Sequence, residues 1–393
     1  TPYQSMLQLF LRCHVIVYII LLWLFQCHDV TPISILSSHD NKKSKNGNNA
    51  SNSFRIIGYW LDSSTHVNMT TASEFLTDLI LYSIQPSESS SGDIEECCLS
   101  SYQLEFMAEH KKEQRKRKVE RIWVTIGGIG RSQFFQSSID KTNQAKNLWK
   151  NLLSFCQKYN IQGVNLYWDD PRTYREFLSY NRFILKTADI LHRHGLLLSV
   201  TTRQFLDKPV MDVLDFVLLA AYDLLPPKAS SEATTEQQPK HHASMEYVKI
   251  LLDNILEFGN IPPSRLILGI PGYARHENQI HKNVRTFGEL VIHGYRSWNQ
   301  SNYNGYYLDS PHQIQQKVIM AKRQGLAGVF LWELGHDIQV QGAPAGVLLQ
   351  AIADVAIQEP EVSIQSITKK DDWKKFQRDR LADDQAYKDP IEL

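Results

Sequence analysis

The stretch with the most to say about chemistry is Gln162-Gly163-Val164-Asn165-Leu166-Tyr167-Trp168-Asp169-Asp170-Pro171. Read as a strand with period two, it sends Asn165, Tyr167 and Asp169 to one face and Leu166 and Trp168 to the other. Of that row only Asp169 is a carboxylate; Asp170 falls on the opposite parity. Other short apolar runs end in comparable groups: Tyr59-Trp60, Thr125-Ile126-Gly127-Gly128, Tyr222-Asp223, Pro271-Gly272-Tyr273-Ala274-Arg275 and Trp332-Glu333. Gathered together, these would make an aromatic-walled pocket with a few carboxylates and an arginine. Such walls suit sugars, whose apolar ring faces stack on aromatics while their hydroxyls need convergent polar groups. Each pair alone has a plain reading as a core cap or a surface turn. Their recurrence at strand ends is what gives them weight.

The elements that must position these residues follow from periodicity. Apolar, β-rich runs recur at Arg55 to Trp60, Asp78 to Ile84, Arg121 to Ile126, Gly163 to Trp168, Leu196 to Thr202, Phe216 to Tyr222, Arg265 to Ile270 and Gly328 to Leu334. Amphipathic helical stretches lie between them, among them Gln144 to Tyr159, Tyr174 to His194, Met245 to Phe258 and Pro311 to Gln324. Eight strands alternating with helices predict a single (β/α)8 TIM barrel, in which functional groups gather at the C-terminal strand ends. A doubly wound sheet is the alternative, but the turn at Gly58-Tyr59-Trp60 lacks a glycine-rich phosphate loop. Insertions that read as loops are expected over Pro86 to Lys118 and Pro226 to His242, and the segment Gly272 to Gly325 leaves no room for a large α+β insertion between strands seven and eight.

The strand with Gly163, Trp168 and Pro171 resembles the fourth strand of glycoside hydrolase family 18, the chitinases, whose motif runs D-G-x-D-x-D-x-E, then an aromatic residue and proline. The resemblance extends over Phe54 to Ile357. Phe54 to Trp60 is similar to the first strand, Thr125-Ile126-Gly127-Gly128 to an S-x-G-G motif, and Ala221-Tyr222-Asp223-Leu224 to the sixth strand. Pro271 with Tyr273 and Arg275 resembles the seventh, and Gly328 to Leu334 the eighth. The resemblance implies that Tyr222 and Asp223 hold the substrate's N-acetyl group and hydroxyls. It further implies that Tyr59, Trp60, Gly127, Gly128, Tyr167, Tyr273, Arg275 and Trp332 line the sugar site, with Trp332 as its floor. In the family the substrate's own N-acetyl oxygen attacks the anomeric carbon while a glutamate protonates the leaving oxygen. Here the four motif acids correspond to Gln162, Asn165, Tyr167 and Asp169, the last one methylene shorter than the family's glutamate. Ile129 stands where many members place a tryptophan, and Ala220 where they often have methionine. The expectation is a chitinase-like protein that binds chitin or other N-acetylglucosamine-containing glycans with its hydrolytic motif largely lost. Two alternatives stay open: a weakly active hydrolase using Asp169 as general acid, and an interaction scaffold with no sugar site.

The rest of the chain bounds the setting. Lys+Arg 42 against Asp+Glu 42 gives no net charge, so nothing global points to nucleic acid or to an anionic membrane surface. Val15 to Phe25 is an uninterrupted apolar run after Arg12, expected to be a signal peptide or signal anchor within residues 1–27. Residues 28–53 read as a flexible polar linker, 54–358 as the barrel and 359–393 as a charged tail. A secreted or luminal protein is expected, off the membrane unless the leader is retained, and monomeric. Entry to the secretory pathway would make Asn49, Asn68 and Asn299 glycosylation acceptors. Five cysteines are few for a disulfide scaffold, no Cys/His cluster has zinc-ligand spacing, and no cofactor is expected. His241-His242 reads as part of a polar loop.

Overall fold

The computed structural model describes residues 53–88, 92–95, 99–113, 119–169, 171, 173–204, 206–224, 241–259, 261–277, 283–340 and 342–357. These fall in the unit formed by residues 52–393. The leader, the linker, Asn49, Asp170, the loop 225–240 and the charged tail lie outside the described residues.

Eight parallel strands close into a barrel. They are β1 (Arg55–Leu61), β2 (Asp78–Pro86), β4 (Arg121–Gly127), β5 (Gly163–Tyr167), β6 (Leu197–Thr202), β7 (Phe216–Leu219), β8 (Leu266–Pro271) and β13 (Gly328–Trp332). The hydrogen-bonded order runs β1-β13-β8-β7-β6-β5-β4-β2, and β1 also pairs with β2, which removes both edges. All eight lie within or beside the runs expected from sequence, because strands buried on both faces read as continuous apolar segments. A two-residue strand β3 (Ile94–Glu95) pairs antiparallel with the end of β2. The insertion over Pro86 to Lys118, read from sequence as a loop, instead holds this strand and a helix, Ser101–Glu113. Between β8 and β13 sits a small antiparallel sheet, order β10-β9-β12-β11, of β9 (Tyr273–His276), β10 (Val284–Thr286), β11 (Asn302–Tyr303) and β12 (Tyr306–Tyr307). It is the small lobe that the length of this segment allows.

The helices begin where local chemistry starts them. Thr173 accepts from Glu176 N while Glu176 accepts from Thr173 N, a capping box that opens Tyr174–Arg193. Ser244 caps Met245–Phe258, and Ser310 with Pro311 at the first helical position starts Pro311–Arg323. Thr142–Tyr159 stops at Asn160, which takes φ 54°. Their apolar faces pack on the outside of the barrel in one large core, which includes Leu148, Leu152, Ile184, Leu191, Leu252, Ile314 and Ile352. A second, separate set fills the barrel interior: Ile57, Tyr59, Ile80, Tyr82, Trp123, Tyr167, Tyr222, Ile267, Tyr273, Phe330 and Trp332 among others.

The last described helix, Val347–Ala356, carries no cap on its own preceding residue, Gly346. Asp337 caps it from a distance, its carboxylate accepting from Leu348 N at 3.0 Å and Leu349 N at 2.9 Å, and from Ile338 N at 2.7 Å. Gly346 sits at φ 110°, and a Cβ there would meet Asp337 Oδ2 at 2.2 Å. Asp337→Ala should lower unfolding stability by about 2 kcal/mol or more, since three amides would lose their acceptor, two of them buried. Chemical denaturation with an unchanged slope checks it.

Candidate functional site

At the floor of the interior, Asn165 of β5 is fully buried and hydrogen-bonded on both ends of its amide. Its Oδ1 takes the hydroxyls of Tyr59 at 3.0 Å, Thr125 at 3.1 Å and Thr201 at 3.1 Å, while Nδ2 donates to Ser199 Oγ at 3.0 Å. A carboxylate buried here would carry a charge with no cation among these partners. The amide satisfies the same donors without one.

Above it, Tyr167 points into the barrel mouth with its ring 6.5 Å from Trp332, edge to face. Trp332 is itself packed edge-on by Tyr59 at 5.0 Å and Tyr82 at 4.9 Å. Tyr222 meets Tyr273 at 6.1 Å and Phe330 at 6.2 Å. Burial pushes the Tyr167 phenol up to about 12; the nearby Arg203 pulls it down, and Asp169 and Asp223 push it further up. Tyr167 is therefore neutral at physiological pH and cannot replace an anionic aspartate. Asp169 follows β5 on the same side of the barrel, near enough to raise the phenols of both Tyr82 and Tyr167.

The turn after β4 brings the backbone close to these rings. Gly127 and Gly128 adopt φ 86° and 100°; a Cβ on the first would strike Phe135 at 2.2 Å, and on the second the Tyr82 hydroxyl at 2.2 Å. Ser132 fastens this turn to β5. Its hydroxyl accepts from Gly128 N at 3.1 Å and Asp169 N at 3.0 Å, and lies within hydrogen-bond reach of the carbonyls of Gly128 and Tyr167. Asp169 is thereby placed by Ser132, a residue that sequence reasoning passes over because a lone serine in a loop carries no signal.

On the opposite wall Asp223 holds φ 57°, a conformation uncommon for a residue with a side chain. Its neighbours fix it there. Asp223 N donates to His242 Nδ1 at 3.3 Å, and Leu224 N to the His242 carbonyl at 2.9 Å. Arg275 Nε donates to Asp223 Oδ1 at 2.5 Å and Arg203 Nη2 to Oδ2 at 3.2 Å, with His242 Nδ1 3.2 Å from Oδ1. Burial raises the Asp223 carboxyl, but the contacts with His242 and Arg275 outweigh it and hold the group well below the usual carboxylate range. Asp223 is an anion throughout the physiological range, suited to accepting hydrogen bonds and unsuited to donating a proton.

The structure thus brings Tyr59, Gly127, Gly128, Tyr167, Asp169, Tyr222, Asp223, Tyr273, Arg275 and Trp332 to one end of the barrel. Trp60 does not join them. It is 3 % exposed, packs edge-to-face on Phe106 at 5.7 Å and donates from Nε1 to the Ser64 carbonyl, outside the barrel. Consecutive strand residues face opposite ways, so with Tyr59 inward its neighbour must face the surrounding helices. His242 lies in a loop, as read from sequence, but not at the surface. It is fully buried, stacks on Tyr273 at 4.9 Å between ring centres and supports Asp223. Arg203 was also missed, because a single arginine at the end of β6 has no spacing pattern to mark it. Glu333 turns away from the cleft as its parity requires, accepting from Ser64 Oγ at 2.9 Å and Gly335 N at 2.9 Å. Gln162 lies at the other end of β5, accepting from Ile122 N at 2.9 Å. Ile129 is half exposed on the turn above Tyr82, and Ala220 lies buried in the barrel interior.

Among the described residues no group of three His, Cys, Asp or Glu side chains is arranged to hold a metal ion, and no helix is long and apolar enough to cross a membrane. Cys156 is a buried free thiol, pushed up to about 12 by burial; the other four cysteines lie outside the described residues. Asn68 and Asn299 are both exposed, and Asn68 also caps the short helix Met69–Ala72.

The family model for glycosyl hydrolases family 18 matches residues 55–337, the whole span from the first barrel strand to the turn after the last. The chain belongs to glycosyl hydrolase family 18. Within it, the chain is 24 % identical over 280 aligned positions to probable chitinase 2 of Drosophila melanogaster, covering 55 % of this chain and 56 % of that protein. Against endochitinase 1 of Metarhizium robertsii the identity is 21 %, covering 58 % and 64 %. The chain therefore spans less than two thirds of the length of these curated relatives. Among solved structures, the chitinase ChiB from the chitin utilization locus of Flavobacterium johnsoniae superposes with a TM-score of 0.63 at 21 % identity, covering 77 % of this chain and 94 % of the other. The family 18 chitinase of Cycas revoluta in complex with (GlcNAc)3 gives 0.60 at 16 %, covering 77 % and 99 %. These likenesses confirm the fold, a chitinase-like TIM barrel.

Proposed function

We propose that this family 18 barrel is a secreted or luminal lectin for chitin-type or other N-acetylglucosamine-containing oligosaccharides, with little or no hydrolysis. The single observation that carries the reading is the β5 face. Between the barrel floor and Asp169 it offers Asn165, which does not titrate, and Tyr167, which burial keeps neutral. Substrate-assisted cleavage develops positive charge on the N-acetyl-derived intermediate and needs an anion beside it. On this strand face that place is taken by a phenol. Asp169 keeps a carboxyl at the family's acid position, but one methylene shorter, a setback of roughly 1 Å that can cost about 100-fold in rate. The aromatic walls and the ionised Asp223 support retention of sugar binding. The Cycas revoluta chitinase, bound to (GlcNAc)3 on the same fold, is in keeping with such a ligand.

The deciding experiment is product analysis by mass spectrometry after long incubation with chitopentaose, with Asp169→Ala as the blank, alongside calorimetric binding of the same sugar. The expected result is binding without cleavage. Cleavage that disappears in Asp169→Ala would make the protein a hydrolase and overturn the lectin reading. Asp169→Glu alone is expected to restore little turnover, whereas Tyr167→Asp combined with Asp169→Glu should restore at least about 100-fold more, because both the acid and its anionic neighbour return.

A further inference from the structure

One wall of the cleft carries two guanidinium groups against one carboxylate. Asp223 is shared between Arg275 and Arg203, and the two cations are differently placed. The Arg275 side chain is 15 % exposed and donates to Asp223 Oδ1, whereas that of Arg203 is 38 % exposed. Arg203 lies over the face of Tyr222, its guanidinium carbon 5.7 Å from the ring centre, and its charge acts on Tyr167 and Tyr273 as well. It is therefore the more open of the two cations at this end of the barrel, packed on the ring of Tyr222.

Among the described residues the only hydrogen bond of Arg203 is the one to Asp223 Oδ2. A guanidinium has five N–H donors in a planar fork, so most of its capacity remains for something else. A neutral chito-oligosaccharide can use such donors only through hydroxyl or amide oxygens. An anionic group would use them through charge-assisted bonds about twice as strong as neutral ones. The other carboxylate at this end of the barrel, Asp169, acts on Tyr82 and Tyr167. Asp223 is the counter-ion for both arginines, so the wall keeps a net positive charge in a partly desolvated place where charge acts strongly.

We infer that Arg203 is a specificity-determining residue of this cleft, directing it toward N-acetylglucosamine-containing glycans that carry an anionic substituent, a carboxylate or a sulfate, on or beside the bound sugar. The inference rests on the sugar-cleft reading above and adds a preference to it. Arg203 acts here as a ligand contact, in contrast to Arg275, which positions Asp223.

The test is isothermal titration calorimetry of the full chain with three probes: chitohexaose, a hyaluronan hexasaccharide in which N-acetylglucosamine alternates with glucuronate, and 6-O-sulfated chitohexaose. At least one anionic probe should bind about tenfold more tightly than chitohexaose at low salt, the advantage shrinking as salt is raised. Which probe wins identifies the anion. Arg203→Gln should bring the ratio of anionic to neutral affinity to about one, and Arg203→Lys should leave it in between, since the charge stays and the fork goes. The ratio within one variant is the readout, because general damage to the cleft lowers both affinities together. Chitohexaose binding as tightly as both anionic probes, or a ratio unchanged in Arg203→Gln, overturns the inference while leaving the lectin reading standing. Failure of all three probes to bind overturns both.

Discussion

Replacing Trp332 with alanine is expected to remove measurable binding of chito-oligosaccharides. Trp332 is where three tyrosine rings converge: Tyr59, Tyr82 and Tyr167 all meet it edge to face. An aromatic anchor in a desolvated pocket typically carries at least about 2 kcal/mol of binding, roughly 30-fold in affinity. Its loss also leaves the mouth of the barrel without its floor, so Tyr167 is free to collapse inward. The substitution should cost about 3 to 5 kcal/mol in stability, as for other large-to-small changes of buried aromatics. Trp332→Phe separates the two effects: most of the stability should return with the ring, and only part of the affinity. Unchanged affinity in a folded Trp332→Ala protein would mean that sugar is not bound at this end of the barrel.

The second large effect is expected at Asp223. Asp223→Asn removes the shared counter-ion of Arg203 and Arg275 and leaves two guanidinium groups facing each other in a partly buried wall. Removing one partner of a buried ion pair commonly costs about 3 to 5 kcal/mol; with the Asp223 side chain 14 % exposed and Arg203 more open, the lower end is expected. The effect should depend on pH in a defined direction. The native carboxyl titrates below its unfolded value of about 3.9, so its contribution is complete above that pH and fades as pH falls toward the native value. The stability gap between the parent and Asp223→Asn should therefore be constant from pH 7 to about 5 and shrink below about 4. A gap that widened on acidification would show that Asp223 is protonated in the folded protein. Denaturation midpoints across that range provide the measurement.

The sequence alone determined the barrel. Eight apolar runs with helices between them are dictated by burial of parallel strands on both faces, and period two put Asn165, Tyr167 and Asp169 in one row. The same alternation accounts for Glu333, next to Trp332, bonding to Ser64 instead of joining the aromatic interior. It also left a single carboxylate, Asp169, on the β5 row, the residue-type observation from which the lectin proposal starts. What only the tertiary structure decided was phase and partnership. Two adjacent aromatics at the end of β1 look alike in a sequence; pairing with β13 and β2 sets which faces inward, and Tyr59 takes that place while Trp60 packs on Phe106. Asp223 reads as an isolated carboxylate beside a tyrosine. Its ionisation comes from His242, 19 positions on, and Arg275, 52 positions on, with Arg203, 20 positions earlier, as a further ion-pair partner. Barrel closure brings these groups together because β6, β7 and β8 are neighbours in the sheet, and no local pattern records an encounter between residues so far apart in the chain.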